Sequence, residues 1–153
     1  MSLYERISDY KENRKYRESF IELARQVFGI DFTRWYEKGC WDGNYVCYSY
    51  VDRARVVANV SINKMTVIVE GKEYKAIQIG TVMTHPEYRK QGLSKKLMYH
   101  VIDTYEKECD FIYLFANDSA LDFYPAFGIT HHAPLPQADA CAFVISFDLA
   151  CVM

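Results

Sequence analysis

Two stretches of the chain carry apolar residues at helical spacing. In residues 11–28, apolar side chains recur at intervals of three and four, which predicts an amphipathic helix that ends at Gly29. Asp31 then predicts the cap of a short second helix that ends near Gly39. Residues 91–107 have the most regular apolar repeat, which predicts a third helix. The repeating residues are Leu93, Leu97, Val101 and Tyr105.

The stretch between these helices has the composition of β-strands. Residues 45–51, 56–62, 65–70 and 74–84 are rich in β-branched and aromatic side chains, and polar residues separate them. A hairpin turn is predicted at Gly71-Lys72. Four consecutive strands with short connections predict an antiparallel meander.

Past the third helix, the pattern predicts a strand, a helix and a strand. Residues 111–115 are all apolar, which predicts a central strand buried on both faces. Residues 120–127 predict a short helix that Pro125 distorts, and residues 130–137 have the composition of a loop. Residues 140–149 predict the last strand. The chain is therefore expected to have a mixed α/β fold, with helices packed on a mostly antiparallel mixed sheet in the order ααββββαβαβ.

Length and composition narrow the class of protein. A chain of 153 residues suits one domain, here residues 1–153, and 50% hydrophobic with 16% aromatic residues exclude disorder. The net charge of −2 argues against bulk attraction to nucleic acid, so any anion binding is local. Five cysteines without a C-x-x-C pair, a polar N-terminus and the lack of a long apolar run predict a reduced, cytoplasmic protein.

Residues 78–98 hold the most informative pattern, an apolar strand followed by a basic, glycine-containing loop that opens a helix. Backbone N–H groups converge at such a junction and the helix dipole adds positive charge, so the junction suits an anion. Gly92 has no Cβ, which lets a phosphate approach the main chain. The loop and helix start carry four basic residues: Arg89, Lys90, Lys95 and Lys96. These features predict a phosphate-bearing ligand; the alternative is an ordinary helix start with solvated basic side chains.

The hexapeptide Arg89-Lys90-Gln91-Gly92-Leu93-Ser94 resembles the Q/R-x-x-G-x-G/A signature of the GNAT (Gcn5-related N-acetyltransferase) superfamily. Its position between a strand and an amphipathic helix is similar to the family pattern, as is Asn117 after the next strand. Residues 123–129 resemble the family's F-Y-x-x-x-G-F segment. Ser94 departs from the usual glycine or alanine, although it is also small. The resemblance covers residues 11–149 and implies the GNAT fold.

The resemblance implies an acyl-CoA-dependent N-acyltransferase that moves acetyl from acetyl-CoA to a primary amine by direct transfer through a tetrahedral intermediate. The thioester would lie along the strand that ends at Thr84, and the backbone N–H of Val82 or Met83 would polarise its carbonyl. Removal of such a donor typically costs about 3–4 kcal/mol; an ordinary ladder hydrogen bond is the alternative for that N–H. Backbone N–H groups of the loop that follows this strand would hold the coenzyme A pyrophosphate. The residues of this loop are Arg89, Lys90, Gln91, Gly92, Leu93 and Ser94.

Two further residues take roles from the resemblance. Tyr124 would be the general acid that protonates the leaving thiolate, because a phenol still carries its proton at neutral pH. Asn117 would contact the pantetheine arm of coenzyme A. The alternatives are a core tyrosine between Phe123 and Phe127 for the first residue and a loop cap for the second.

The general base stays unassigned. Some relatives use a carboxylate on the fourth strand, where this chain has Gln78, and Glu70 and Glu73 lie before it near a hairpin. His85 titrates in a suitable range, but a histidine before a proline at a turn is expected to lie at the surface. A water chain or a residue elsewhere would then accept the proton.

The region near the first two helices, where the superfamily usually binds its acceptor, is rich in aromatic residues. Aromatic faces attract cations, and Glu37 and Asp42 add negative charge, which favours an amine. The alternative is that the rings fill a core and keep one polar tip wet. The residues are Trp35, Tyr36, Trp41, Tyr45, Tyr48 and Tyr50.

Two other interpretations of function stay open. The chain is alternatively a non-catalytic coenzyme A-binding or regulatory module, or the N-terminal part of a longer protein. The expected partner is a small-molecule or peptide amine, without nucleic acid or membrane, and residues 143–153 are apolar enough to pair two copies as a homodimer.

No metal is expected at His131-His132, whose side chains point opposite ways on an extended chain. Cys109 and Cys141 lack the sequence neighbours of a nucleophilic thiol.

Overall fold

Helices and strands alternate along the part of the chain that the computed structural model describes, which is residues 3–116, 122–127, 130–131 and 141–146. The strands are β1 (Glu5–Ser8), β2 (Tyr45–Asp52), β3 (Arg55–Val69), β4 (Lys72–Thr84), β5 (Phe111–Ala116), β6 (Thr130–His131) and β7 (Cys141–Ser146). The helices are α1 (Arg14–Phe28), α2 (Thr33–Glu37) and α3 (Leu93–Tyr105), and 3-10 turns lie at Pro86–Tyr88 and Tyr124–Phe127. The chain divides into two compact units: unit 1 is residues 1–62 with 81–101, and unit 2 is residues 63–80 with 102–153.

The strands of unit 1 are hydrogen-bonded in the order β1-β2-β3-β4. β1 is antiparallel to β2, and Glu5 lies opposite Val51. β2 turns into β3 at Arg53 and Ala54, whose φ angles of 47° and 65° are both positive. Two positive φ angles in a two-residue connection define a type I′ turn, which matches the right-handed twist of paired strands.

The helix α1 forms where the apolar stripe predicts it. Asn13 Oδ1 accepts a hydrogen bond from the N–H of Tyr16 at 3.4 Å, and the helix ends before Gly29. The buried face of α1 includes Phe20, which is fully buried with its ring centroid 5.1 Å from that of Trp41. Burial of one such side chain stabilises a fold by about 1.5–3 kcal/mol.

The second predicted helix is present as α2, but the prediction that Asp31 caps it is wrong, because Phe32 is at the N-cap and Asp31 forms a turn just before the helix. Asp31 Oδ1 accepts from the N–H of Thr33 at 2.8 Å, and Asp31 Oδ2 accepts from Arg25 Nη2 at 2.9 Å. The hydrogen bonds from Thr33, followed by that from Arg25, lower the pKa of Asp31 to about 2. The carboxylate is therefore ionised at neutral pH and stabilises the start of α2.

The strands of unit 2 are hydrogen-bonded in the order β3-β4-β5-β7-β6. β5 runs parallel to β4 and antiparallel to β7, which confirms its predicted central position. The prediction that β5 is buried on both faces is wrong. Ile112 and Leu114 are 0% and 2% exposed, but Phe115 is 53% exposed, so the strand alternates.

The mixed α/β fold class is confirmed, but the predicted strand boundaries need correction. Residues 56–62 and 65–70 were predicted as two strands, but residues 55–69 form the single strand β3, because Asn63 and Lys64 continue the extended backbone rather than turning it. The hairpin turn lies at Glu70 and Gly71, one residue earlier than predicted, and the φ angles are 50° and 78°. β1 was not predicted, since its charged residues suit an edge strand better than a core.

Near the C-terminus, the distorted helix predicted at residues 120–127 is present in part as the 3-10 turn Tyr124–Phe127, with Pro125 inside it. The last predicted strand is confirmed as β7. Two residues of the predicted loop form β6, and residues 132–137 lie outside the described residues. No helix within the described ranges has both the length and the apolar character needed to cross a bilayer.

Candidate functional site

The loop between β4 and α3 contains two residues in the left-handed region. Lys90 and Gly92 have φ angles of 62° and 71°, and Arg89 before them is extended, with φ −66° and ψ 163°. Left-handed residues in a tight loop turn neighbouring N–H groups to the same side, a geometry that recurs in anion-binding loops. In the described part of the chain, the first hydrogen bond donated by the main chain after this loop is from Lys96 N–H to Gly92 O, at 3.0 Å. The N–H groups of residues 90–95 are therefore available to a ligand or to water.

Side-chain hydrogen bonds hold this loop against the end of β4. The hydroxyl groups of Thr84 and Ser94 are hydrogen-bonded to each other. Arg89 Nε donates to the carbonyl oxygen of Thr84 at 3.4 Å. Tyr88 O–H donates to Asp52 Oδ2 at 2.8 Å and so ties the preceding 3-10 turn to β2. The position of the loop is thus set before any ligand arrives.

The space and charge around the loop fit a diphosphate. A Cβ added to Gly92 would meet no atom within 4 Å, so the main chain there is open to an approaching group. Arg89 and Lys90 are exposed and carry the charge that attracts a phosphate. The signal in the sequence, a glycine in a basic loop before a helix, therefore identified a loop whose geometry suits an anion.

The end of β4 places three of the predicted site residues in a row. Met83 is 2% exposed, and its neighbours Val82 and Thr84 are half-buried. The preceding residue, Thr81, is held at two points. Its carbonyl oxygen accepts from Asn59 Nδ2 at 2.8 Å, and its hydroxyl is hydrogen-bonded to that of Tyr45 at 2.9 Å.

Sequence reasoning missed Asn59. The only signal available was a polar amide inside the apolar run Val56-Val57-Ala58-Asn59-Val60. A fully buried amide in a strand must find partners to offset the loss of water. That requirement marks the residue as one with a specific role in the core.

The prediction that His85 lies at the surface is wrong. His85 is 4% exposed, and its Nε2 accepts from Arg55 Nη2 at 2.5 Å. Since a guanidinium only donates, Nδ1 carries the ring proton, and Oε2 of Glu87 lies 3.8 Å from Nδ1. Burial, followed by the positive charge of Arg55, lowers the pKa of His85. The ring is neutral at pH 7 and is held by structural contacts, which gives no support to a role as a surface base.

Tyr124 lies in unit 2, at the start of its 3-10 turn, and is 6% exposed. The ring centroid of Phe123 is 5.2 Å away. Burial raises the pKa of Tyr124, so the phenol keeps its proton throughout the neutral range. Asn117, the predicted pantetheine contact, lies outside the described residues. The structure thus brings Thr84 and residues 89–94 together within unit 1.

The other residues considered for the general base lie in β4 or in the hairpin turn before it. Gln78 lies in β4 opposite Tyr113 of β5. Glu70 is part of the β3–β4 hairpin turn, and Glu73 follows it as an exposed residue of β4. Nothing in these positions assigns the base.

Most of the aromatic residues near the first two helices are buried. Trp41 and Tyr45 belong to one core cluster, and Trp35 and Tyr36 pack against it as partly buried rings. Tyr48 and Tyr50 are also less than 9% exposed but lie outside that cluster. These contacts favour the core interpretation. The Arg17 guanidinium lies 4.0 Å from the ring centroid of Tyr36 and occupies that face of the ring.

A groove of about 540 Å³ runs beside α1 and α2 in unit 1. Three carboxylates, from Glu18, Glu22 and Glu37, line it together with the side chains of Arg17 and Arg25. The groove carries both signs of charge, so it suits a polar ligand better than an apolar one.

Cys47 and Cys109 have the properties of protonated thiols. Burial raises the pKa of Cys109 to about 11 and that of Cys47 to about 12. A thiol that keeps its proton is a poor nucleophile and a poor metal ligand at neutral pH. Among the residues that the structure describes, no group of three or more His, Cys, Asp or Glu side chains is placed to hold a metal ion. His132 lies outside those residues.

The sequence itself shows the family. Residues 11–131 match the family described as the acetyltransferase (GNAT) domain. The chain therefore belongs to the GNAT acetyltransferase family, as the loop and the segment at residues 123–129 indicated. No curated protein sequence matches the chain significantly.

Solved structures with a similar fold agree with this assignment. The chain superposes on Arabidopsis thaliana NAA60 in complex with acetyl-CoA with a TM-score of 0.75 and 17% identity, covering 95% of this chain and 99% of that one. For an acyl-CoA N-acyltransferase from Pseudomonas aeruginosa the TM-score is 0.69 and the identity 17%, covering 92% of this chain and 98% of that one. For a conserved protein of unknown function from Enterococcus faecalis, a probable N-acyltransferase, the TM-score is 0.70 and the identity 19%. The match covers 84% of this chain and 32% of that one. At these identities the likeness shows the fold.

Proposed function

We propose that this chain is an acyl-CoA-dependent N-acyltransferase that transfers acetyl from acetyl-CoA to a primary amine. The observation that carries the proposal is the loop at residues 89–94, with left-handed backbone at Lys90 and Gly92, available N–H groups and open space at Gly92. Membership of an acetyltransferase family supports the acyl donor and the class of reaction.

The loop would hold the diphosphate of the acyl donor. Hydrogen bonds from main-chain N–H groups to a charged acceptor contribute about 1.5–3 kcal/mol each. The side chains of Arg89 and Lys90 add an attraction that salt weakens, because both are exposed. Acetyl-CoA, when bound, would supply the acetyl group as a thioester.

The family resemblance assigns the steps on the thioester to the main chain of Val82 or Met83 and to the hydroxyl of Tyr124. The N–H of Val82 or Met83 would donate to the carbonyl oxygen, which gains negative charge during the reaction. The amine nitrogen would first add to the carbonyl carbon to form the C–N bond, and the C–S bond would break afterwards, with Tyr124 giving its proton to the leaving sulfur. The base that takes the amine proton stays unassigned.

The acceptor is proposed to be a small-molecule or peptide amine. The groove beside α1 and α2 offers the carboxylates of Glu18, Glu22 and Glu37 to such an amine. Glu22 is paired with Arg25 at 3.1 Å and Glu18 with Arg14 at 2.7 Å, so a protonated amine would compete with these arginines. The attraction of an amine to these carboxylates weakens as salt rises.

A second candidate function is a non-catalytic coenzyme A-binding module. Two observations favour it: Gln78 replaces a carboxylate on β4, and His85 is buried and neutral. Neither residue is a good proton acceptor in this chain. The module shares the diphosphate loop with the enzyme and differs from it only in turnover.

The experiment that tests both candidates is thermal unfolding with acetyl-CoA. At about 100 times its dissociation constant, a ligand stabilises the folded state by about 2.7 kcal/mol. For a chain of this size, the melting temperature is expected to rise by about 5–10 °C. Adenosine, which lacks the diphosphate, is the control and is expected to leave the melting temperature unchanged. Absence of a shift with acetyl-CoA would refute both functions.

Turnover separates the enzyme from the module. A panel of small amines and peptides with free N-termini is incubated with the protein and acetyl-CoA, and the free thiol of coenzyme A is measured. Amine-dependent release of the thiol identifies the enzyme and the acceptor class. Binding of acetyl-CoA with no release across the panel favours the module.

A further inference from the structure

A chain of hydrogen bonds through the core of unit 1 ends at the peptide between Thr81 and Val82. Tyr10 O–H donates to Ser49 Oγ at 2.6 Å, and Ser49 O–H donates to Asn59 Oδ1 at 2.8 Å. Asn59 Nδ2 donates in turn to the carbonyl oxygen of Thr81 at 2.8 Å. Because a carbonyl oxygen only accepts, this last bond fixes the orientation of the Asn59 amide and the direction of the whole chain.

This chain of donors lies in a dry part of the molecule. Ser49 and Asn59 are 0% exposed and Tyr10 is 6% exposed. Where water is excluded, consecutive hydrogen bonds polarise one another, by about 10–30% per bond. The polarisation of all three donors therefore accumulates on the Thr81 carbonyl.

The geometry of the peptide carries this effect to the N–H of Val82. In a trans peptide the C=O and the N–H point in opposite directions. Since the Thr81 carbonyl points to Asn59 on β3, the Val82 N–H points away from β3, to the other edge of β4. The register pairs between β4 and β5 end at Ile79 with Leu114, before that position.

We propose that Asn59 is a positioning residue that holds and polarises the Val82 N–H as the donor to the thioester carbonyl. The inference rests on the proposed function and deepens it, because it selects Val82 over Met83 and names the side chain that fixes the peptide. The hydroxyl of Tyr45 adds a second restraint by holding the Thr81 side chain at 2.9 Å.

The test measures the carbonyl of bound acetyl-CoA directly and needs no acceptor. Infrared difference spectra of acetyl-CoA labelled with ¹³C at the thioester carbonyl report the hydrogen bond as a downshift of the C=O stretch. Asn59→Leu removes the donor to Thr81 at similar side-chain volume. Val60→Ala is the matched control, because Val60 is also 0% exposed on β3 and has no polar contact with Thr81.

The wild type is expected to show a downshift on binding, and Asn59→Leu to lose about a third of it or more. The Kd for acetyl-CoA is expected to change less than threefold, because the diphosphate loop is untouched. Once an acceptor is known, kcat should fall about tenfold in the same variant. Val60→Ala is expected to keep the downshift although it loses stability. A full downshift in Asn59→Leu would overturn the inference.

Two further outcomes are distinguishable. If the wild type fails to bind acetyl-CoA, the proposed function is refuted, and this inference with it. If Asn59→Leu does not fold, Ser49→Ala tests the same chain one bond earlier by the loss of a single oxygen. A smaller but measurable loss of the downshift is expected there, and an unchanged spectrum contradicts the proposed polarisation.

Discussion

Gly92 and Gly71 offer a matched pair of substitutions with the same backbone strain. Their φ angles are 71° and 78°, and an added Cβ meets no atom within 4 Å at either position. An alanine in the left-handed region costs about 1–2 kcal/mol. Both Gly92→Ala and Gly71→Ala are therefore expected to lower the melting temperature by about 2–8 °C. The surroundings differ, since Gly92 lies in the proposed diphosphate loop and Gly71 in the β3–β4 hairpin turn.

Only Gly92→Ala is expected to weaken the binding of acetyl-CoA. Its methyl group would occupy the open space beside the N–H groups of residues 90–94 and keep a phosphate from the main chain. Loss of one hydrogen bond to a charged group costs about 1.5–3 kcal/mol. That loss corresponds to a Kd about 10–150-fold higher. Isothermal titration calorimetry on folded protein measures it, and Gly71→Ala is expected to stay within twofold of the wild type.

The comparison has a clear refuting result. If both variants bind acetyl-CoA as tightly as the wild type, the main chain at Gly92 does not contact the diphosphate, and the proposed function loses the observation that carries it. If both variants bind equally weakly, the loss comes from general destabilisation instead. Either result would remove the loop at residues 89–94 from the proposed binding site.

Three further predictions concern the acid, the buried histidine and the core. Tyr124→Phe is expected to lower thiol release about 10²–10⁴-fold. Tyr113→Phe, which removes a hydroxyl bonded to a methionine sulfur, serves as the control. Unchanged thiol release in Tyr124→Phe would reject the acid role. The lowered pKa of His85 means that its contribution to stability is complete above about pH 6.5 and is lost as pH falls through the lower folded-state pKa. His85→Gln is expected to flatten the fall in unfolding free energy below pH 6.5, and a fall as steep as in the wild type contradicts this reasoning. Phe20→Ala is expected to lower the unfolding free energy by about 3–5 kcal/mol in urea, and a loss below 1 kcal/mol would show that the site repacks.

Local patterns predicted the elements that local chemistry determines. The stripe of α1 and its ends at Asn13 and Gly29 depend on residues three or four apart, and the structure has them within a few residues of the prediction. The loop before α3 was predictable for the same reason, because its glycine and its helix start are adjacent in sequence.

Features that depend on distant partners were not predictable. His85 is buried because Arg55, thirty residues earlier, bonds to its ring, and no local pattern reveals that pairing. Asn59 gains its role from Ser49 and Thr81, which lie on the two neighbouring strands. The continuity of β3 likewise depends on its long-range partners, since Asn63 alone is compatible with either a turn or a strand.

The amide of Asn59 also has a consequence for how the strands align. It links β2 to β4 through β3, with a partner of matching donor or acceptor type on each side. Side chains alternate between the faces of a sheet, so a slip of one residue would turn Asn59 away from both partners. Each buried polar group then left alone costs about 1–3 kcal/mol. A shifted strand register is therefore destabilised more than it would be if all the buried side chains were apolar. This favours a single alignment of β2, β3 and β4.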